Sequence, residues 1–461
     1  MSRGVYAHFI GIGGAGMSGI ALVLHEQGTP VTGSDLKASR YSRALEEAGV
    51  PVMLGHGVSN LGDPEIVVVS SAIPESNPEL AEARRRGLPV WPRAKMLANL
   101  AGAQRTVAIA GTHGKTTTSS MVATMLVGMG LDPTFLIGGE VCAYGTNARR
   151  GAGEYYVVEA DESDGSFLYL EPAVALITNV EADHLDHYGT LEEVEHTFTR
   201  FAERVAEDGT VVVCADDRRA AEVALRGGRR VVTYGMAEDA DVRCTELRRS
   251  GQGHTFTLAV RGGGSCDAAI GCPGVHNVLN ATGALAVAHV LGHDIAAAAA
   301  ALAGFGGVKR RFDLIGEARG VRVVDDYAHH PTEVRATLAA ARTTGEGRVW
   351  VVFQPHRYSR TEALAAEFGA AFGDADRVAL MDVYSAGEVP VPGVTGKTLV
   401  DAVLANDPRA RVAWIPHRSE VPEFIAARVS PGDLVITMGA GDVTTIGPDI
   451  LRAISGEDGQ A

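Results

Sequence analysis

Short apolar runs recur along this chain, and the stretches between them repeat apolar residues at helical spacing. The first run, 6–10, meets a glycine turn and a helix pattern over 18–27; a second strand ends at Gly33-Ser34-Asp35 and another covers 66–69. Further strands are predicted at 106–110, 155–159, 174–178, 211–214 and 255–260, with helices after His276-Asn277 and over 294–302. A last set covers 321–324, 349–353, 378–381 and 434–437. Strands alternating with helices predict an α/β protein of parallel sheets with helices on both faces. The pattern divides into three units, 1–103, 104–308 and 309–461, as a length of 461 residues leads one to expect.

Composition changes this picture little. A hydrophobic content of 46% is ample for burial and excludes an intrinsically disordered chain. No apolar run reaches the length of a bilayer-spanning helix, and the start of the chain leads into a strand with no signal-peptide pattern. A soluble cytoplasmic protein that engages no membrane is the expectation. The five cysteines form no CxxC pair, which points to reduced thiols. A net charge of −15 argues against nucleic acid as a partner and requires positive charge to be concentrated wherever anions bind.

Candidate chemistry sits at the ends of the strands. Gly111, Thr112, His113, Gly114, Lys115, Thr116 and Thr117 lie between a strand and a helix pattern, the setting of a phosphate-binding loop. Glycines let backbone N–H groups close on phosphate oxygens, Lys115 adds a charge, and Thr116 offers a hydroxyl to Mg²⁺. Ile109 stands where the strict pattern has its first glycine. Earlier, Gly11, Gly13, Gly14 and Gly16 fit GxGxxG after a strand, with Asp35 at the end of the next one, a fingerprint for a bound diphosphate. Taken alone this loop also fits a NAD-dependent dehydrogenase. The acidic run 159–164 and the run 179–187 follow successive strands, so both reach the sheet edge where open α/β folds bind ligands. They suggest a metal site, and the second by itself also fits a dinuclear hydrolase. Arg310-Arg311, Asp326, His329-His330, Arg357 and Arg360 give the third unit cationic clusters suited to anion capture; of the adjacent histidines, at least one must point away.

In this order, from the Gly11 loop to Gly439-Ala440-Gly441-Asp442, these stretches resemble the Mur ligase family along nearly the whole chain. The resemblance implies a Rossmann-like N-terminal domain for a UDP-sugar, a central P-loop ATPase-like domain for ATP and Mg²⁺, and a Rossmann-like C-terminal domain for an amino acid. It carries Gly11, Gly13, Gly14, Gly16, Met17, Ser18, Gly19, Asp35, Ser70, Ser71, Ala72 and Ile73 to the UDP-sugar. It carries Lys115, Asn277, Asn280, Arg311 and Asp326 to ATP, Thr116, Glu159 and His184 to the metal, and His329, Arg357 and Arg360 to the amino acid. Histidine is an unexpected ligand for a hard, oxygen-preferring ion, so His184 rests on the resemblance alone. Lys115, Glu159, His184, Arg311 and His329 are the implied catalytic set. The runs 159–167 and 179–188 look more like the alanine-adding branch than the branch that adds a murein tripeptide. The implied reaction joins UDP-N-acetylmuramate to L-alanine through an acyl phosphate, with His329 as the base that frees the amine. The chain departs from several family members at one point. They carry a carbamylated lysine in the central domain, whereas here no lysine lies between Thr116 and Val308.

Overall fold

The structure is a computed structural model that describes residues 6–456 apart from 71 and 346. Among these residues the strands form three sheets. The first is all parallel, in the order Val52–Leu54, Val31–Asp35, Ala7–Ile10, Ile66–Val69, Val90–Pro92. The second runs Ser265–Ile270, Gly253–Val260, Val242–Ser250, Arg230–Gly235, Thr210–Cys214, Val174–Ile177, Arg105–Ala110, Tyr155–Glu159, Thr134–Val141, Thr146–Arg149. The third runs Asp313–Ala318, Val321–Asp326, Leu434–Met438, Val349–Phe353, Arg377–Leu380, Val412–Trp414. The sheets are not wholly parallel, as the alternation predicted. Thr134–Val141 pairs antiparallel with Thr146–Arg149, and Asp313–Ala318 with Val321–Asp326. Both are hairpins at a sheet edge, where a short turn suffices and no crossover helix is required.

The chain forms two compact units: one comprises the residues up to Thr245 with Thr257–Ala268 and Leu279–Phe305, the other Glu246–Phe256, Ala269–Val278 and the chain from Gly306 onward. In the first unit, the helix Lys115–Gly128 shows how burial shapes the local structure. Every residue from 116 to 126 is buried, so this helix has no solvent face. Its two serine hydroxyls bond back into the helix, Ser119 Oγ donating to Lys115 O at 2.8 Å and Ser120 Oγ to Thr116 O at 2.7 Å. The helix Ala15–Glu26 begins three residues before the predicted start, so Ala15, Gly16 and Met17 form its first turn instead of a preceding loop. It packs closely on the hairpin strand Thr146–Arg149: a Cβ on Gly19 would lie 2.9 Å from Ala148 Cβ. In the second unit the strands Val349–Phe353 and Leu434–Met438 are buried throughout and end on one edge, which carries Asp326, His356 and Gly439.

All five cysteines are free, and among the described residues no helix is long and apolar enough to cross a membrane.

Candidate active site

Steric constraints shape the central loop. Gly111 has φ +131°, and a Cβ there would lie 2.0 Å from Thr178 Oγ1. Gly114, at φ +81°, caps the helix Lys115–Gly128, and its Cβ would lie 2.7 Å from Asn280 Oδ1. Only glycine fits either position. The end of the neighbouring strand Val174–Ile177 clamps the loop. Thr112 N donates to Asn179 O (3.0 Å), His113 N to Asn179 Oδ1 (2.8 Å), and Thr178 Oγ1 to His113 O (2.6 Å). Glu181 N donates to Thr112 Oγ1 at 2.9 Å. The result is a fixed ring of backbone ahead of a helix N-terminus, with Thr117 buried in the helix's first turn.

Lys115 curls back over this ring. Its Nζ donates to Gly111 O (2.6 Å), Thr112 O (3.1 Å) and Glu162 Oε1 (2.8 Å). Burial alone would lower its pKa, but Glu162, Asp161 and Glu159 outweigh burial, and the ammonium is held above the usual lysine value. Burial pushes the Glu162 carboxyl up to about 7 despite the adjacent Lys115. Its Oε2 is buried with no hydrogen-bond partner among the described residues. Thr116 Oγ1 donates to Glu159 Oε1 at 2.9 Å, and Glu159 Oε2 accepts from Gly138 N at 2.6 Å. His184, in the left-handed region at φ +55°, brings Nε2 to 3.7 Å from Asp183 and 4.0 Å from Glu162. The expected metal residues Thr116, Glu159 and His184 therefore all border one carboxylate–ammonium cluster.

The first glycine loop is built differently. Gly11 has φ +84° and lies against Ile73 and Ser70. Gly13 N donates to Asp35 Oδ2 at 2.9 Å, and Ser39 Oγ donates to Gly13 O at 2.8 Å, so the Asp35 carboxylate braces the loop itself. Gly14 caps the helix Ala15–Glu26; Met17 and Ser18 are buried within it. Ser70 Oγ accepts from Ala72 N at 3.3 Å, and Ser71 lies outside the described residues. Ser70 and Ile73 open onto a cavity of about 610 Å³ that Arg84, Arg93 and Tyr169 also line.

The second unit gathers most of its expected residues at one edge. The Arg311 guanidinium lies over the Tyr327 ring at 5.1 Å and 3.6 Å from Glu333. Asp326 accepts from Phe312 N and Ala328 N, both at 2.8 Å, and burial raises its pKa to about 6. His329 Nδ1 lies 3.0 Å from Tyr327 O and 3.2 Å from Glu333 Oε2. The His329 ring meets that of His356, which Arg360 approaches at 3.4 Å. His330 caps the helix Pro331–Thr343, its Nδ1 accepting from Thr332 N at 3.4 Å. Arg310, Phe312 and Arg357 adopt positive φ, a strained state that tertiary contacts must hold. Asn277 binds Pro273 O at 2.7 Å, beside His276, whose pKa burial and Arg311 push down to about 4. Sequence reasoning did not single out Arg93, Asn179 or Glu333, which meet Asp161, His113 and Arg311 across the fold; only Asn179, inside a recognised run, carried a local signal.

A clamped glycine loop, a buried lysine and facing carboxylates on an α/β sheet edge define an enzyme that handles nucleotide phosphates. The chain belongs to the Mur ligase family. Residues 6–105 match "Mur ligase family, catalytic domain", 109–288 "Mur ligase middle domain", and 310–441 "Mur ligase, glutamate ligase domain". It is 51% identical to a UDP-N-acetylmuramate--L-alanine ligase of Rubrobacter xylanophilus, covering 97% of this chain and 99% of that one. A protein of the same name from Acidothermus cellulolyticus is 49% identical, with 97% of this chain and 94% of that one covered. Among solved structures, UDP-N-acetylmuramate-alanine ligase MurC from Thermotoga maritima aligns with a TM-score of 0.82 at 29% identity, over 98% of this chain and 100% of that one. A murein peptide ligase from Psychrobacter arcticus aligns with a TM-score of 0.74 at 25% identity, over 99% of this chain and 100% of that one.

Proposed function

We propose that this chain joins L-alanine to UDP-N-acetylmuramate, using ATP, as a cytoplasmic step of peptidoglycan synthesis. The carrying observation is the Lys115 ammonium, held on the loop carbonyls beside Glu162 and Glu159, in a chain so similar throughout to proteins named for this reaction.

A carboxylate is a poor electrophile, so the muramyl carboxylate first takes the γ-phosphoryl group of ATP. Lys115 leaves Glu162 for the phosphate oxygens and spreads the charge that develops on them. The loop N–H groups and the N-terminus of the helix Lys115–Gly128 hold the remaining phosphates. Thr116, Glu159 and Glu162 offer an all-oxygen set that suits Mg²⁺, and the unpartnered Oε2 of Glu162 is the observation that fits such an ion best. His184 borders the same set, and Mg²⁺ held there would supply charge neutralisation to the phosphates. Asn277, Asn280, Arg311 and Asp326 are assigned to the nucleotide. In the second unit, Arg357 and Arg360 are assigned to the alanine carboxylate, as planar forks suited to a bidentate partner. With an N–H on Nδ1 directed at Tyr327 O and Glu333, the lone pair on Nε2 of His329 can take the ammonium proton. The neutral amine then attacks the acyl phosphate, forming the amide and releasing phosphate and ADP.

The test is ADP release with ATP, UDP-N-acetylmuramate and L-alanine, omitting each in turn. Release only with all three supports the reading. Release with a murein tripeptide but not alanine moves the chain to the sister branch, and NAD binding with no response to the UDP-sugar overturns the proposal.

A further inference from the structure

One cation near the first glycine loop has no part in the scheme above. Arg93 follows the strand Val90–Pro92 and opens the helix Arg93–Asn99. Its Nη1 reaches so close to the helix Ala15–Glu26 that a Cβ on Gly16 would stand 2.7 Å away. Its Nη2 lies 3.8 Å from Asp161, two residues beyond Glu159. Arg93 also lines two cavities. One, of about 610 Å³, holds Ser70, Ile73 and Tyr169; the other, about 90 Å³, joins Gly16 and Gly19 to Glu159 and Asp161. Its guanidinium thus lies on the route from the diphosphate loop to the carboxylates around Lys115.

The first loop needs such a group. It has no lysine of its own, and the Asp35 carboxylate adds negative charge to its frame. A helix N-terminus contributes partial charges equivalent to roughly half a proton, whereas a diphosphate carries at least two negative charges. An arginine fork beside the first turn of that helix supplies the missing full charge and two parallel donors. The side chain is partly exposed, and its contact with Asp161 is long for an ion pair, so it can exchange partners at little cost.

Resting on the UDP-sugar reading above, we infer that Arg93 is the arginine fork for the diphosphate of the UDP-sugar and that Asp161 holds it in place until the substrate arrives. Glycine at position 16 lets the guanidinium come up against the first turn of the helix, where any side chain would displace it.

Calorimetric titration of the full-length chain with UDP-N-acetylmuramate, UDP and uridine tests this. Arg93→Ala should weaken both diphosphates by a similar factor, on the order of 10- to 100-fold, as expected for a charge-assisted contact. Uridine and ATP should bind as they do to the wild type, and unchanged ATP binding shows that the variant is folded. Arg93→Lys should recover part of the loss, and Asp161→Asn should tighten UDP by freeing the fork. If Arg93→Ala weakens UDP-N-acetylmuramate but not UDP, the residue holds the muramyl carboxylate instead and the inference fails. Unchanged affinity for both diphosphates also overturns it. Failure of the wild type itself to bind UDP-N-acetylmuramate would instead refute the functional reading on which the inference rests.

Discussion

Two buried glutamates of the first unit, Glu79 and Glu162, have opposite electrostatic fates. Glu79, held between the strands Ala7–Ile10 and Val31–Asp35 and the segment 57–60, is fully satisfied. Ser34 Oγ donates to it at 2.6 Å, Gly57 N and Asn60 Nδ2 each at 2.9 Å, and His8 Nε2 lies 3.0 Å away. Burial opposes its charge, but these bonds outweigh burial and hold its pKa at about 2. Glu162, beside the second loop, is pushed up to about 7 and keeps one oxygen without a hydrogen-bond partner among the described residues. The first is a finished network that fixes the loop at 57–60; the second is a charge cluster that the proposed phosphate and cation would complete. Incomplete satisfaction of a buried polar group thus marks where a ligand is needed.

The largest expected effect follows from removing the charge that only the second loop possesses. Lys115→Ala should lower turnover by at least about 10³-fold, as loss of a principal transition-state charge does, while the fold survives. Near-normal ADP release by a folded variant would sink the contrast between the loops. A smaller effect separates their glycines. Gly111→Ala drives a methyl to 2.0 Å from Thr178 Oγ1 at φ +131° and should cost about 3 kcal/mol or more. Gly11→Ala meets Ile73 at 3.3 Å at φ +84° and should cost only about 1 kcal/mol. Denaturant midpoints for the two variants give the ordering, and equal losses would contradict it.

Glu79 gives a pH-dependent comparison. Its folded pKa of about 2 lies below the unfolded value, so its contribution is complete above the unfolded pKa and is lost as pH falls through about 2. A shift of that size corresponds to about 3 kcal/mol at neutral pH. Glu79→Gln should therefore be less stable than wild type at pH 7, with the gap closing between about pH 5 and 2. A gap independent of pH would mean that the loss is steric.

Much of this was legible along the chain. The apolar runs predicted the strands Tyr155–Glu159 and Val349–Phe353 residue for residue, because both are buried central strands with continuous apolar sequence. The strand Thr134–Val141 was missed because Gly138, Gly139 and Glu140 interrupt its run, and Gly138 is small because Glu159 lies against it. The phosphate loop and the acidic run that begins at Glu159 were readable from local motifs at strand ends. Arg93 and Glu333 were not, since neither sits in a motif and each gains its role from a fold contact. Asp35 shows a subtler limit: the fingerprint suggests a ligand contact, and the carboxylate also accepts a hydrogen bond from its own loop at Gly13.

The smallest expected effect is none at all, and it tests whether the second loop's cluster is made from unmodified side chains. A carbamate needs a lysine amine, and the chain has only Lys37, Lys95, Lys115, Lys309 and Lys397. Lys115 is held by Gly111 O, Thr112 O and Glu162. Its ammonium is stabilised above the usual pKa, which suppresses the neutral amine that carbon dioxide would have to attack. Lys95 lies over the Trp91 ring, Lys309 pairs with Asp313 at 3.4 Å, and Lys397 with Asp401 at 2.7 Å. On the proposed reading, Glu159 and Glu162 would already supply carboxylate oxygens to the cation without a carbamate. Activity of a preparation depleted of carbon dioxide should therefore stay unchanged when bicarbonate is restored, and the intact mass should show no carbamyl group. Bicarbonate-dependent rescue would mean that one of these lysines leaves the partner described here and that the second loop's charge balance is set by modification.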